Sequence, residues 1–308
     1  MKIAILGATS EIAKDLVKFL GHLEKIEFLL FSRRADEVDR WIYENNLSGS
    51  CLALEYKFFS SAANYMAIIN FIGAGDPIKI YKMGDELASA SFEYDRLVIA
   101  YLSLNPSCKY IYLSSGVAYG VDFRRPVDEK TKLKPLNNKD RLNDVYIKVK
   151  MDIEKQHRML YKFDIVDLRV FNYFSATQDL NSGFFVSNLM RSLISGGDFE
   201  ASSANIFRDY LSQEDFSQLI VKILRAAPRN GAVDCYSKAP ISKYSLLQAM
   251  NKEYGLRYHL SEKKENISPT GHKVHYYSKN YLAKEFGYKP SLSSLDNILR
   301  QAKLLLKM

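Results

Sequence analysis

The sequence predicts an α/β protein: a doubly wound parallel sheet followed by a smaller, mostly helical C-terminal region. Three observations predict it. Short runs rich in Ile, Val, Leu, Phe and Tyr recur through the first half of the 308 residues, amphipathic segments separate several of them, and the first run ends in a glycine turn leading straight into a helical pattern. Such alternation marks strands joined by crossover helices in one parallel sheet.

The opening run, Ile3-Ala-Ile-Leu6, reaches Gly7, and residues 10–25 read as a helix. Within it Ile12, Ala13, Leu16, Val17 and Leu20 fall at helical spacing on one face. The later strand-like runs are EFLLFS (27–32), CLALEYKF (51–58), YMAIINFIG (65–73), KYIYLSS (109–115) and FDIVDLRVF (163–171). They alternate little between apolar and polar residues, as strands buried on both faces do. From about residue 173 strands become scarce, and helical segments follow at 185–195, 213–227, 243–253, 278–286 and 293–306. The expected division is a dinucleotide-binding domain over 1–172 and a partly interleaved substrate region over 173–308. The second lies over the carboxyl ends of the strands, where such sheets bind ligands.

Composition narrows the function classes. The formal charge is +8, but no run of five or six like charges occurs, so a nucleic-acid partner is not expected. A basic enzyme handling phosphorylated metabolites accounts for the charge. Cys51, Cys108 and Cys235 are odd in number and far apart, which argues against disulfides or a zinc site. His272 and His275 have no Cys or carboxylate cluster beside them, so no metal is expected. Polar Thr9-Ser10-Glu11 interrupts the first apolar run, unlike a secretory signal, and no stretch of 18 uncharged apolar residues exists. The expectation is a cytoplasmic protein with no membrane partner.

Three separated features fit one active site. The opening turn keeps only Gly7 of a G-x-x-G-x-x-G spacing, with Ser10 and Ala13 in the other places. Ser114-Ser115-Gly116-Val117-Ala118-Tyr119-Gly120 follows the strand KYIYL, so its hydroxyls lie at a strand's carboxyl end. Tyr146 and Lys150 are four apart in a helical pattern and therefore share a face. A phenol near its ordinary pKa of ~10 is a poor acid–base catalyst at neutral pH, and a neighbouring ammonium is expected to favour the phenolate. A serine hydroxyl at 115 is placed to hydrogen-bond a reacting carbonyl oxygen beside that phenol.

These motifs resemble those of the extended short-chain dehydrogenases/reductases, which include nucleotide-sugar epimerases, dehydratases and reductases on a Rossmann-like fold. The resemblance runs nearly end to end: Gly7-Ala-Thr, Asn70-Phe71-Ile72-Gly73, Ser-Ser-x-x-x-Tyr-Gly, Tyr-x-x-x-Lys, Leu168-Arg-Val-Phe-Asn172, Asn188-Leu189-Met190, Arg208-Asp209-Tyr210 and Phe286-Gly-Tyr-Lys-Pro290 with Ser293-Ser-Leu-Asp. It implies Ser115, Tyr146 and Lys150 as a catalytic triad, with Tyr146 the acid–base and Lys150 also on the nicotinamide ribose. Ser115 is preferred to Ser114 because it stands five residues before Gly120. The resemblance further implies cofactor contacts from Gly7, Thr9, Ser10, Glu11, Ile12, Phe71, Ile72 and Gly73. Arg208, Asn172 and Asn188 would contact a substrate diphosphate; the plain alternatives are a surface ion pair for Arg208 and a turn for Asn172. Family members are often homodimers through two helices, here roughly 87–105 and 146–161. Asp144 and Tyr173 stand where the family often has Pro, and a polar insertion over 122–144 either shapes the pocket mouth or is a surface loop.

The second strand ends Phe31-Ser32-Arg33-Arg34, with no carboxylate to bind both ribose hydroxyls. Ser32, Arg33 and Arg34 suit a 2′-phosphate, so the cofactor expected is NADP(H) ahead of NAD. Gly116 and Val117 stand where 4,6-dehydratases carry Asp-Glu, which argues against that elimination. The leading expectation is an NADPH-dependent reductase of a 4-keto (deoxy)sugar nucleotide. A 4-epimerase with tightly bound NAD is the alternative, and a non-catalytic NADP-binding sensor a second.

Overall fold

The computed structural model describes residues 1–21, 26–73, 75–121, 123–134, 141–262 and 273–307. The chain begins β1 (Lys2–Leu6), α1 (Glu11–Gly21), β2 (Glu27–Phe31), α2 (Ala35–Glu44), β3 (Cys51–Leu54), β4 (Ala67–Asn70), α3 (Pro77–Met83) and α4 (Asp85–Leu104). It continues β5 (Lys109–Ser115), α5 (Arg141–Met159), β6 (Ile165–Val170), β7 (Asn172–Tyr173), α6 (Phe185–Ser195), β8 (Phe199–Ser202), β9 (Phe207–Arg208), β10 (Tyr210–Leu211), α7 (Gln213–Arg225) and β11 (Asn230–Asp234). The last elements are β12 (Ile241–Ser242), α8 (Lys243–Tyr254), β13 (Tyr258–Ser261), β14 (His275–Tyr276) and α9 (Ser294–Leu305).

Seven of these strands form one sheet in the order β11-β6-β5-β4-β1-β2-β3, with every pairing parallel. This is the Rossmann-like arrangement expected from the alternating pattern. The strand order reverses between β1 and β4, and such a reversal opens a crevice at the carboxyl ends. Every residue of β4 and β6 is buried; β4 accordingly does not alternate, and the two charged residues of β6, Asp167 and Arg169, are buried in ion pairs with Arg158 and Glu154. One face of the sheet packs Leu16, Val17 and Leu20 of α1, Val38 and Ile42 of α2, and Leu219, Ile220 and Ile223 of α7. The other packs Val98, Tyr101 and Leu102 of α4 against Val149 and Ile153 of α5. A separate core around Phe174, Leu189, Met190, Leu247, Met250 and Ile298 supports the C-terminal region.

The differences from the sequence reading have physical reasons. The run 51–58 pairs only to Leu54 and then tightens into a 3-10 turn over Tyr56–Phe58. The segment 278–286 is helical only as a 3-10 turn, Leu282–Phe286, closed by left-handed Gly287. β11 was not expected, because Asn-Gly-Ala-Val-Asp has no apolar run and an edge strand needs none. It nevertheless extends the main sheet beside β6, and α7 packs with α1, so part of 173–308 joins the sheet and core built by the first half of the chain. Asp15 of α1 ties the two regions together by accepting hydrogen bonds from the hydroxyls of Tyr173, Ser175 and Thr177 at 2.6–2.8 Å. Residues 22–25 of the expected first helix, His272, and positions 122 and 135–140 of the insertion lie outside the described residues.

Among the described residues no helix is long and apolar enough to cross a membrane, and no cluster of His, Cys, Asp or Glu is placed to hold a metal. All three cysteines are free and buried.

Candidate active site

A cavity of about 250 Å³ lies at the carboxyl ends of β1, β4 and β5. The start of α1 (Ser10, Glu11, Ile12) forms one side, and Phe71, Ile72 and Gly73 after β4 form its floor. The turn before α1 demands glycine at position 7. Its φ is +79°, and a Cβ there would stand 2.9 Å from the Phe71 carbonyl carbon. Ala13, in the place of the third glycine, is buried against the sheet core.

β5 delivers two serines to opposite sides, as strand alternation requires. Ser114 donates to the Glu154 carboxylate, which Arg169 holds from its other side, so this hydroxyl is consumed by the scaffold. The Ser115 hydroxyl hydrogen-bonds to the Tyr276 hydroxyl at 3.0 Å and lies near enough to the Tyr146 phenol to favour its ionised form. Gly116 makes this wall possible, because a Cβ there would run into the Phe171 ring. Phe171 and Phe123 in turn pack edge-on or tilted against Tyr276.

α5 presents Tyr146 and Lys150 on one face, but their coupling differs from the expectation. Lys150 donates to the Leu113 carbonyl at 2.7 Å and the Tyr112 hydroxyl at 3.0 Å, and its Nζ is 5.9 Å from the Tyr146 ring centre. Burial raises the Tyr146 pKa, and the nearby Ser115 hydroxyl offsets this only in part. The phenol is therefore held protonated at neutral pH instead of being drawn toward phenolate. Burial also holds the Lys150 ammonium down to about 8, against the opposing pull of Glu154, Asp167 and Asp95.

At the far end Arg208, Asn172 and Tyr210 line the cavity with Lys273. Arg208 donates to the carbonyls of Phe207 and Lys273, both at 2.8 Å. Asn172 Nδ2 donates to the Asp209 carbonyl at 3.1 Å. The Asp209 carboxylate faces inward and accepts from the Ser237 amide and the Ser294 hydroxyl. Lys273 Nζ sits over the rings of Tyr276 and Phe123, at 4.8 and 5.6 Å. Asn188 is not brought into this cavity. It lines a separate surface hollow on α6 and accepts a hydrogen bond from Arg191.

Comparison with known proteins follows this geometry. A family model described as the NAD-dependent epimerase/dehydratase family matches residues 3–236. The chain belongs to that family. The match bears out the resemblance to extended short-chain dehydrogenases/reductases read from its motifs. Among curated proteins it is similar to a UDP-glucose 4-epimerase of Lactobacillus helveticus, 26% identical over 181 residues, or 51% of this chain and 53% of that protein. The matched stretch thus spans about half the length of this relative. Among solved structures it resembles a Bacillus cereus UDP-glucuronic acid 4-epimerase in complex with UDP-glucuronic acid and NAD, at TM-score 0.80 and 15% identity over 100% of this chain and 99% of that one. It also resembles a Bacillus anthracis dTDP-glucose 4,6-dehydratase in complex with NAD, at TM-score 0.79 and 13% identity over 100% and 97% of the two chains. At these identities the structural likeness establishes the family's fold.

The residues present fit the family's dinucleotide at one end. The first amides of a helix have no intrahelical acceptor, and those of α1 border the cavity, as a pyrophosphate receptor requires. The Glu11 carboxylate is turned aside, accepting the Asp179 amide at 3.0 Å, and burial raises its pKa. Gly73, at φ +138°, leaves room that a Cβ would fill 3.5 Å from Lys150 Nζ. At the end of β2, Ser32 is buried with its Oγ accepting the Arg34 amide, Arg34 pairs with Glu37 at 2.7 Å, and Arg33 is exposed. Gly7 and Thr9 lie outside the cavity lining. Sequence reasoning missed Lys273 and Tyr276, because no motif marks the segment around β14.

Proposed function

We propose that this family member is an NADP(H)-dependent oxidoreductase of nucleotide-diphosphate sugars that reduces a 4-keto (deoxy)sugar. The observation that carries the reading is the convergence of Ser115, Tyr146 and Lys150 on the lining of one cavity, with Lys150 one helical turn from Tyr146. The nicotinamide, when bound, supplies the hydride to the ketone carbon. Tyr146 gives its proton to the ketone oxygen, and Ser115 holds that oxygen by a hydrogen bond. Lys150 assists by its charge as the phenolate forms. Burial keeps Tyr146 protonated, the state from which a proton donor starts. Arg208 and Lys273 converge at the other end of the cavity and suit the diphosphate, with Asn172 beside them. Gly116 and Val117 directly after Ser115 offer no second acid and base for a 4,6-elimination.

The preference for NADP(H) rests on Ser32 and Arg33 at the end of β2, where no carboxylate stands at positions 32–34 and the nearby Glu37 is neutralised by Arg34. A 4-epimerase with retained NAD is the second reading, and the similarity to the L. helveticus epimerase favours it. We also infer a homodimer across α4 and α5, to be checked by sedimentation. Purified protein should release NADP on denaturation and oxidise NADPH with 4-keto sugar nucleotides. Tyr146→Phe should lower turnover by at least ~10²-fold while cofactor binding persists. Tightly retained NAD with no net oxidation would sink the reductase reading in favour of the epimerase.

A further inference from the structure

The crevice beside Gly7 is filled by the protein itself. The Gly7 amide donates to the Tyr56 hydroxyl at 3.0 Å as well as to the Phe31 carbonyl at 3.1 Å. Tyr56 opens the 3-10 turn after β3, and its ring lies on Tyr94 of α4, with centres 4.2 Å apart and planes inclined by 40°. Burial pushes the Tyr56 phenol up to about 12, so a neutral hydroxyl accepts the amide. Arg33, at the end of β2, is near enough for its charge to act on both phenols.

In a sheet of this order the adenosine half of a dinucleotide lies over the ends of β1 and β2, on the side of β3. Tyr56, Tyr94 and Arg33 occupy that ground. The cavity stops short of it, at Ser10, and its volume of about 250 Å³ falls below the roughly 300–1,000 Å³ of ordinary ligand pockets. The turn that carries Tyr56 is a surface element, with Lys57 exposed and Phe58 57% exposed, while Tyr56 and Phe59 rest on the core beneath it. Adenine has two flat faces and stacks readily on a tyrosine ring.

We propose that Tyr56 and Tyr94 form the adenine end of the cofactor site. Tyr56 latches the Gly7 amide, and when it turns aside the face of Tyr94 that it covered receives the adenine. The inference rests on the dinucleotide reading above.

The test is calorimetric titration of the full chain with NADP, NAD, 2′,5′-ADP for the adenosine half, and nicotinamide mononucleotide for the other half. Tyr56→Phe keeps the ring and removes only the hydroxyl, so it should bind 2′,5′-ADP about fivefold more tightly than wild type. Tyr94→Ala should bind it about tenfold more weakly. Nicotinamide mononucleotide should bind both variants like wild type, which also reports that they are folded. If wild type binds NADP but Tyr56→Phe gains no affinity for 2′,5′-ADP, or Tyr94→Ala loses none, the latch is overturned and the cofactor reading stands. If wild type and Tyr56→Phe bind neither NADP nor NAD, the cofactor reading fails and the latch falls with it.

Discussion

His157, near the end of the helix that carries Tyr146 and Lys150, has no exposed surface and bridges two buried carboxylates. Its Nδ1 is 2.6 Å from Asp167 and its Nε2 is 2.9 Å from Asp95. Arg158 also reaches Asp167, and Tyr110 donates to Asp95. Burial alone would push the imidazolium's pKa down, but the charges and hydrogen bonds of Asp167 and Asp95 outweigh it and raise the value from 6.5 to about 9. A folded pKa above the unfolded one stabilises fully below about 6.5, and that contribution is lost as pH rises through about 9. At 1.36 kcal/mol per tenfold change in proton affinity, this displacement amounts to roughly 3 kcal/mol. His157→Gln keeps an uncharged hydrogen-bonding side chain in the same place. Urea denaturation of both proteins should show the wild-type advantage shrinking by roughly 3 kcal/mol between pH 6.5 and 9.5. Lys150, held at about 8, acts in the opposite sense, because its cost to folding falls as pH rises. It is present in both proteins and cancels in the comparison. An advantage that stays the same across this range would mean a neutral imidazole, and the reasoning would be wrong. The Tyr112 ring, whose hydroxyl accepts from Lys150, packs edge-on against His157 at 5.5 Å, so the same variant should also lower turnover.

Gly116→Ala forces a methyl into the Phe171 ring and should cost about 1–3 kcal/mol, read as a lowered Tm; an unchanged Tm would show that Phe171 moves freely. The two serines should separate cleanly. Ser115→Ala should lose turnover by roughly 10²-fold at near-normal stability. Ser114→Ala should cost about 1–2 kcal/mol of stability, since Glu154 loses a partner, with little effect on turnover; the reverse pattern would exchange their roles. Burial and the charge of Arg208 hold the Lys273 ammonium down to about 7. A bound diphosphate favours its charged form, so nucleotide-sugar affinity should weaken as pH rises from about 6 to about 8.5, with proton uptake seen by calorimetry in two buffers. Lys273→Met should flatten that dependence, and a dependence that survives the substitution would place the titrating group elsewhere.

The parts legible in the sequence are those set by local periodicity. Ile3 to Gly7 announces a strand and a turn because buried strands are apolar throughout and the turn needs a positive φ. Tyr146 and Lys150 announce a shared helical face because 3.6 residues make a turn. The parts that were not legible depend on partners far along the chain. Ser115 meets Tyr276 across 161 positions, Arg208 meets the Lys273 carbonyl across 65, and Gly7 meets Tyr56 across 49. β11 gains its place from its position beside β6 and from the Arg169, Tyr119 and Ser278 groups around Asp234, none of which its own five residues reveal.

The sequence by itself thus determined the alternating α/β architecture, the glycine at the first turn and the residue types of the site. Only the tertiary structure decided where their hydroxyls and charges point. Ser114 turns to Glu154 while Ser115 turns to Tyr276, and Lys150 turns to Tyr112 and Leu113. Asn188 turns out of the cavity altogether. The physical reason is that spacing along one element determines only the face on which a side chain emerges. Its hydrogen-bond partners, and how far burial shifts its protonation, are set by whichever other elements pack against that face.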